Sequence, residues 1–203
     1  MITAALGRMH DRTVFNRRVA VLGQALGAHV PAEAAILDVG TGDGQIAKLM
    51  AAEAPGAIAW GVDIMARPAA HVPVTLFDGR TLPFEDKSFD VVSFVDVLHH
   101  TDDPEALLSE AARVARKVVI LKDHLSETVV DHLTLRLMDW VGNAPHGVVL
   151  PYNYGSIDDW ERWFDGAGLH VEAFSTEVPL YPFPANLVFG RSLHFVARLT
   201  PTA

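Results

Sequence analysis

The sequence predicts an α/β fold: a doubly wound, mostly parallel sheet that ends in a C-terminal antiparallel strand pair. Three observations predict it. Short, nearly continuous apolar runs alternate with amphipathic helical patterns from "AILDVG" at residue 35 to "KVVILKD" at residue 117, as expected for strands covered by helices on both faces. The first run leads directly into Gly40, Gly42 and Gly44, at alternate positions, and then into a helix. That arrangement turns free backbone N–H groups towards a ligand. Finally, the last two strand patterns follow one another with no helical pattern between them.

Taken in order, residues 11–28 read as a helix, because Val14, Phe15, Val19, Leu22 and Leu26 recur at spacings of three and four and Pro31 lies beyond them. "AILDVG" is the first strand, and "GQIAKLMAAEAPG" is a helix stopped by Pro55 and Gly56. "AIAWGVD", "VPVTLFD" and "FDVVSFVDVL" are the next three strands; the connection "IMARPAAH" is too short for a full helix. "PEALLSEAARVAR" is an amphipathic helix with Pro104 in its first turn, where its missing N–H has no helical partner to lose. Asp102 and Asp103 before it are candidate caps. "KVVILKD" is the fifth strand, followed by a helical pattern over "LSETVVDHLTLRLMDWVGN" and a loop over "APHGVVLPYNYG". "SIDDWERWFDGAG" carries an N-cap serine, Ser156, with Asp158 and Asp159 in the first turn and Gly166 near its end. "LHVEAFSTEV" and "SLHFVARL" form the closing antiparallel pair across the Pro-rich "PLYPFPANLVFG".

Half of the 203 residues are hydrophobic, which suits a single domain with a sizeable core. The formal net charge of −9 argues against a nonspecific grip on nucleic acid or an anionic membrane. The chain contains no cysteine, so disulfides and thiolate metal sites are excluded and a cytoplasmic setting is expected. The N-terminus lacks the apolar core of a signal peptide, and no apolar stretch is long enough to span a bilayer.

The glycine loop narrows the choice of ligand. The dinucleotide fingerprint spaces its glycines G-x-G-x-x-G, whereas this loop reads G-x-G-x-G, which also disfavours a nicotinamide-dependent reductase. No Gly-Lys-Ser/Thr follows, so it is not a P-loop. Asp38, two positions before the first glycine, would repel a pyrophosphate and suits a ligand with a positive group.

With these residues in place, the stretch Asp38-Val39-Gly40-Thr41-Gly42-Asp43-Gly44 resembles the first motif of class I S-adenosylmethionine-dependent methyltransferases. The resemblance covers roughly residues 34–122 and implies a Rossmann-like, seven-stranded sheet with S-adenosylmethionine as cofactor. It implies that Asp63, followed by Ile64, holds the ribose hydroxyls; that Asp78, with Gly79 beside it, meets the adenine amino group; and that Asp96 borders the methionine portion. The chain departs from many relatives in running "ARKVVIL" where they carry a Pro-Gly-Gly turn, a difference confined to a surface turn. A single methyltransferase domain over residues 1–203 is expected. Residues 1–33 would form a helical lid, 34–122 the cofactor core, 125–155 an inserted substrate-facing region and 156–203 the final helix and edge strands.

Methyl transfer from an activated sulfonium is mainly a positioning problem, and a base is needed only where the acceptor must lose a proton. The acceptor-side candidates lie beyond strands four and five, at the carboxyl ends where open α/β sheets bind ligands. His100 and His124 are the candidate catalytic residues, since histidine titrates nearest neutral pH; His99 reads as a structural residue. Asn143, Tyr152, Asn153 and Tyr154 are the candidate substrate-binding groups, able to stack and hydrogen-bond. "PYNY" is superficially similar to the Asn-Pro-Pro-Tyr motif of nucleic-acid amino methyltransferases, but that motif follows strand four. No metal site is expected, because Asp96, Asp123, His124 and Asp131 have no distinctive ligand spacing. The resulting expectation is a methyltransferase acting on a small-molecule acceptor as a monomer or homodimer, with no nucleic acid and no membrane as partner. The alternative is a non-catalytic S-adenosylmethionine-binding module serving as a sensor or partner subunit.

Overall fold

The computed structural model describes residues 17–143 and 152–202. Its centre is a seven-stranded sheet in the order β3-β2-β1-β4-β5-β7-β6. The strands are β1 (Ala35–Val39), β2 (Ile58–Asp63), β3 (Val74–Leu76), β4 (Phe89–Val95), β5 (Ala115–His124), β6 (Leu169–Ser175) and β7 (His194–Pro201). β1 to β5 pair in parallel, while β7 runs antiparallel to both β5 and β6. The expected mostly parallel sheet with an antiparallel C-terminal pair is therefore observed.

The apolar runs are continuous because successive residues serve two cores. In β1, Leu37 and Val39 pack into one core with Val92 and Phe94 of β4 and Val119 and Leu121 of β5. The intervening Ile36, Val91, Val118 and Ile120 pack into the other. The first core is covered by α3 (Pro104–Val114) and α5 (Ile157–Gly166), and the second by the helix at 17–27, here α1, and by α2 (Gln45–Ala52).

Local chemistry sets the helix starts. Asp103 caps α3 by accepting from the Ala106 N–H at 3.0 Å, with Pro104 next. Ser156 and Asp159 form a reciprocal capping box on α5. α5 is pinned to the sheet by Trp160, whose fully buried indole donates to the His124 carbonyl at 3.0 Å.

The structure refines several expectations. β5 extends through His124, so Asp123 and His124 belong to the strand itself. α4 (Val129–Asn143) matches the expected helical pattern, and a short helix, α6 (Asn186–Phe189), interrupts the Pro-rich connection. The first part of the expected lid, residues 1–16, lies outside the described residues. α1 itself is a core element: Leu22 and Leu26 are fully buried, and a Cβ on Gly23 would stand 2.6 Å from the Leu49 Cβ of α2. Among the described residues no helix is long and apolar enough to cross a membrane.

Trp160→Ala would leave a large void and an unpaired His124 carbonyl. Urea unfolding is expected to show a loss of about 3–5 kcal/mol; a loss below about 1 kcal/mol would contradict this account of how α5 is held.

Candidate functional site

β1 and β4 are neighbours in the sheet, and their crossovers leave in opposite directions. The carboxyl ends of the two strands therefore open a crevice where open α/β sheets bind ligands. There the chain turns through Gly40, Gly42 and Gly44, all with positive φ (70°, 61° and 75°). Their reasons for being glycine differ. A Cβ on Gly40 would stand 2.5 Å from Val97 Cγ2, and one on Gly44 would stand 2.5 Å from Val72 Cγ2. A Cβ on Gly42 would meet nothing within 4 Å, because it faces the cavity.

Asp63, at the end of β2, holds this turn in place. One carboxylate oxygen accepts from the Gly42 N–H at 2.8 Å and the other from the Met65 N–H at 2.9 Å. Asp78 lies exposed at the far wall and accepts from the Thr81 and Arg80 N–H groups, each at 2.8 Å; these bonds hold its carboxyl below the usual range. The cavity between them has a volume of about 780 Å³, within the range of roughly 300–1,000 Å³ usual for small-molecule sites.

Asp96 follows β4 with a φ of +57°, unusual for a residue other than glycine. Its carboxylate pairs with Lys122, whose side chain is completely buried, and with Arg18 of α1. Burial alone would raise the Asp96 carboxyl, but the two cations outweigh it and hold the group well below the ordinary value.

Of the residues expected from the sequence, Gly40, Gly42, Asp63, Ile64, Asp78, Gly79, Asp96 and His100 line this one cavity. Others stand elsewhere. Asp38 is buried beneath the turn and accepts from the Ser93 hydroxyl at 2.7 Å. Burial raises its carboxyl to about 6, against the opposing hydrogen bond from Ser93. Thr41 packs on Gly61, and Gly44 on Val72. His124 is buried behind the wall; burial, Lys122 and His99 push it down to about 4, so it is neutral there.

Asn153 and Tyr154 line a separate depression of about 340 Å³ beside Asp102, Asp103 and Trp163. Asn153 donates from its side chain to the Thr101 carbonyl at 2.7 Å, and Tyr154 donates to Asp139 at 2.5 Å. The Tyr152 ring stacks under the Arg136 guanidinium, 4.5 Å from its centroid. The side chain of Asn143 lies outside the described residues. Sequence reasoning missed Arg18 and Lys122 as partners of Asp96. A lysine inside the apolar run "VVILKD" was the available signal, because a buried ammonium needs a counter-charge.

His99, read from the sequence as a structural residue, is buried against a carboxylate. Its Nδ1 lies 2.6 Å from Asp123 Oδ1 in a fully buried pair. Burial opposes its charged form, but Asp123 prevails and raises it. His100, half-buried in the cavity wall, is lowered by burial and by the neighbouring His99.

The residues present fit an adenosyl amino acid. Gly42 leaves its face of the cavity clear, and Asp63 and Asp78 offer carboxylate lone pairs to ligand hydroxyl and amino groups.

Comparison with known proteins gives the same answer. The family described as a methyltransferase domain matches residues 10–173. A curated relative, the ubiquinone/menaquinone biosynthesis C-methyltransferase UbiE of Cupriavidus taiwanensis, is 28% identical over 138 residues, covering 59% of this chain and 57% of the relative. This chain thus matches little more than half the length of that relative. A chain from a complex containing the Haloferax volcanii methyltransferase activator Trm112 superposes with a TM-score of 0.68 at 19% identity, covering 98% of this chain and 96% of the other. A Thermotoga maritima S-adenosylmethionine-dependent methyltransferase, described as a possible histamine N-methyltransferase, gives 0.64 at 21% identity, with 98% and 97% covered. At those identities the two structures bear on the fold alone.

The buried Asp38 makes a testable pair of predictions. A native carboxyl raised from 3.8 to about 6 favours folding in acid, and that contribution is lost as pH rises through about 6. Asp38→Asn should therefore gain stability relative to the parent chain across that interval, by up to roughly 3 kcal/mol. A stability difference that stays flat with pH would show that Asp38 is not held in this way.

Proposed function

This chain belongs to the methyltransferase-domain family of class I S-adenosylmethionine-dependent enzymes, and we propose that it transfers the methyl group to a small-molecule acceptor. The observation that carries this reading is the convergence of the clear face of Gly42, the carboxylates of Asp63 and Asp78, and His100 on one cavity. The bound cofactor supplies a methyl group already activated on a sulfonium. The chain's own residues then bind, orient and exclude water.

The turn at Gly40 and Gly42 lets a ligand approach the backbone closely. Asp63 accepts from a diol with the lone pairs left over from Gly42 and Met65, and Asp78 accepts from an amino group at the opposite wall. Asp96 stands next to the acceptor side, which His100, Thr101 and Leu107 continue. His100 is the one histidine of the two candidates that lines the cavity, and it is the residue we assign to contact the acceptor. His124, neutral and buried, would act only as support. Asp38 would act through the turn above it. An acceptor small enough to share the cavity with the cofactor is consistent with a net charge of −9, which disfavours a nucleic-acid partner. We further propose that residues 1–203 form one domain and that the cysteine-free chain works in the cytoplasm.

Isothermal titration with S-adenosylhomocysteine, the demethylated product, tests the reading. The parent chain is expected to bind it, and Gly42→Val, which projects a branched side chain into open space from a strained backbone at φ +61°, is expected to lose some stability and, where thermal melts show it folded, at least about tenfold in affinity, roughly 1.4 kcal/mol. Unchanged affinity in the folded variant would remove the turn from the binding site.

A panel of small acceptors assayed for methyl transfer tests the catalytic part. His100→Ala is expected to lower kcat by about 10²-fold or more if His100 moves a proton, and to raise KM chiefly if it only orients the acceptor. Cofactor-product binding with no transfer to any small acceptor would favour a non-catalytic binding module.

A further inference from the structure

We propose that His99, His100 and Asp139 form a binding site for one first-row divalent transition-metal ion in the wall of the cofactor cavity. One ring nitrogen of His99, one of His100 and an Asp139 carboxylate oxygen lie within 4.8 Å of one another. His99 Nε2 and Asp139 Oδ2 are 3.5 Å apart. Two ligands held at about 2.1 Å in tetrahedral geometry stand about 3.4 Å apart, so this pair already has the spacing of a coordination edge.

His99 Nε2 and His100 Nδ1 are buried and have no hydrogen-bond partner among the described residues. Such orphaned polar atoms are uncommon in a protein interior. With Nδ1–H of His99 donated to Asp123, Nε2 points across 3.5 Å at another lone-pair bearer, Asp139, an edge that only a metal ion or the second proton of an imidazolium can hold. Something electropositive is needed between them.

The surroundings have the form of support for a metal site. Ligating histidines usually donate their second nitrogen to a carboxylate, and His99 does so at 2.6 Å. Asp123 is itself fixed by the Leu98 N–H at 3.0 Å and the His124 N–H at 2.8 Å. Asp139 is oriented by the Tyr154 hydroxyl, so a residue expected to bind the acceptor instead braces a ligand.

A neighbouring trio, His99, Asp123 and His124, is a poorer candidate. Its His99–Asp123 contact of 2.6 Å is a formed hydrogen bond, too close for two ligands of one cation. Two imidazoles and one carboxylate with open positions suit zinc, iron, cobalt or manganese rather than magnesium or calcium, which prefer all-oxygen sets. Because His100 lines the cavity, the ion would adjoin the acceptor side. With its Nδ1 committed, His100 would present Nε2–H as a donor. This consequence rests on the methyltransferase reading, whereas cation binding itself does not.

The sequence offered no metal pattern because the adjacent pair His99-His100 is separated from Asp139 by most of α3, β5 and α4.

The test uses untagged, chelator-treated full-length protein titrated with Co²⁺ and followed by its visible ligand-field absorption. Metal stoichiometry and S-adenosylhomocysteine affinity are measured on the same preparation. One Co²⁺ per chain, displaced by Zn²⁺, is expected. Asp139→Asn and His100→Ala should each weaken binding by at least about tenfold, while His170→Ala, on the exposed face of β6, should leave it unchanged. Thermal melts establish that each variant is folded. Absence of Co²⁺ binding by a preparation that still binds S-adenosylhomocysteine would overturn the metal site alone and leave a buried imidazolium between Asp123 and Asp139. Binding equally sensitive to His170→Ala would overturn it as a surface effect.

Discussion

The carboxylate of Asp96 is the interaction on which the site depends. It is reached by Lys122 from β5 and by Arg18 from α1, so a single charge ties the end of β4 to the next strand and to a helix on the opposite layer. Lys122 is completely enclosed, and burial pushes its ammonium down while Asp96 pulls it up. Breaking such a buried pair from one side typically costs about 3–5 kcal/mol, because the remaining charge is left without compensation. The same interaction lets Asp96 keep a positive φ, a conformation that costs a non-glycine residue roughly 1–2 kcal/mol unless its surroundings enforce it. The turn at Asp96 in turn sends the chain into the segment that carries Val97, which closes on Gly40, and His100, which lines the cavity.

Much of this architecture was legible in the sequence, for a physical reason. A strand buried on both faces has no polar positions to spare, so β1, β4 and β5 read as apolar runs, and their punctuation by caps and prolines marked the helices. Asp103 and Ser156 sit where capping chemistry places them. Other features were not legible because they arise between segments far apart in the chain. The Asp123–His99 pair and the approach of Asp139 join residues separated by α3 and α4, and no spacing rule reports them. The four-residue α6 is too short to leave a periodic pattern.

Asp38 is the instructive intermediate case. The glycine motif rightly marked the turn, and the carboxylate two positions earlier suggested a direct partner for a cationic group. In a strand, however, side chains alternate, and Asp38 shares its face with Ile36 rather than with Leu37 and Val39. Its opposite number in the register is Ser93, to which it is hydrogen-bonded. Alternation within β1 thus contained the information that Asp38 points into a layer of the fold. What the motif signals here is a polar support under the turn, with Gly42 and Asp63 forming the surface above it.

The charge distribution around the cavity bears on how such a site could favour reaction over tight binding alone. Transfer from a sulfonium discharges a cation, so a naked carboxylate beside the sulfur would stabilise the ground state more than the transition state and slow the step. Under the proposed reading, the carboxylate nearest the reacting end is Asp96, and it is the one engaged by two cations. Asp63 and Asp78, whose carboxylates rest on backbone N–H groups and have no cation among their hydrogen-bond partners in the described residues, would on the same reading face the portions of the ligand that do not change charge. That reading would assign affinity and reactivity to different ends of one cavity. Recognition of the nucleoside can then be strong without deepening the well from which the methyl group must leave.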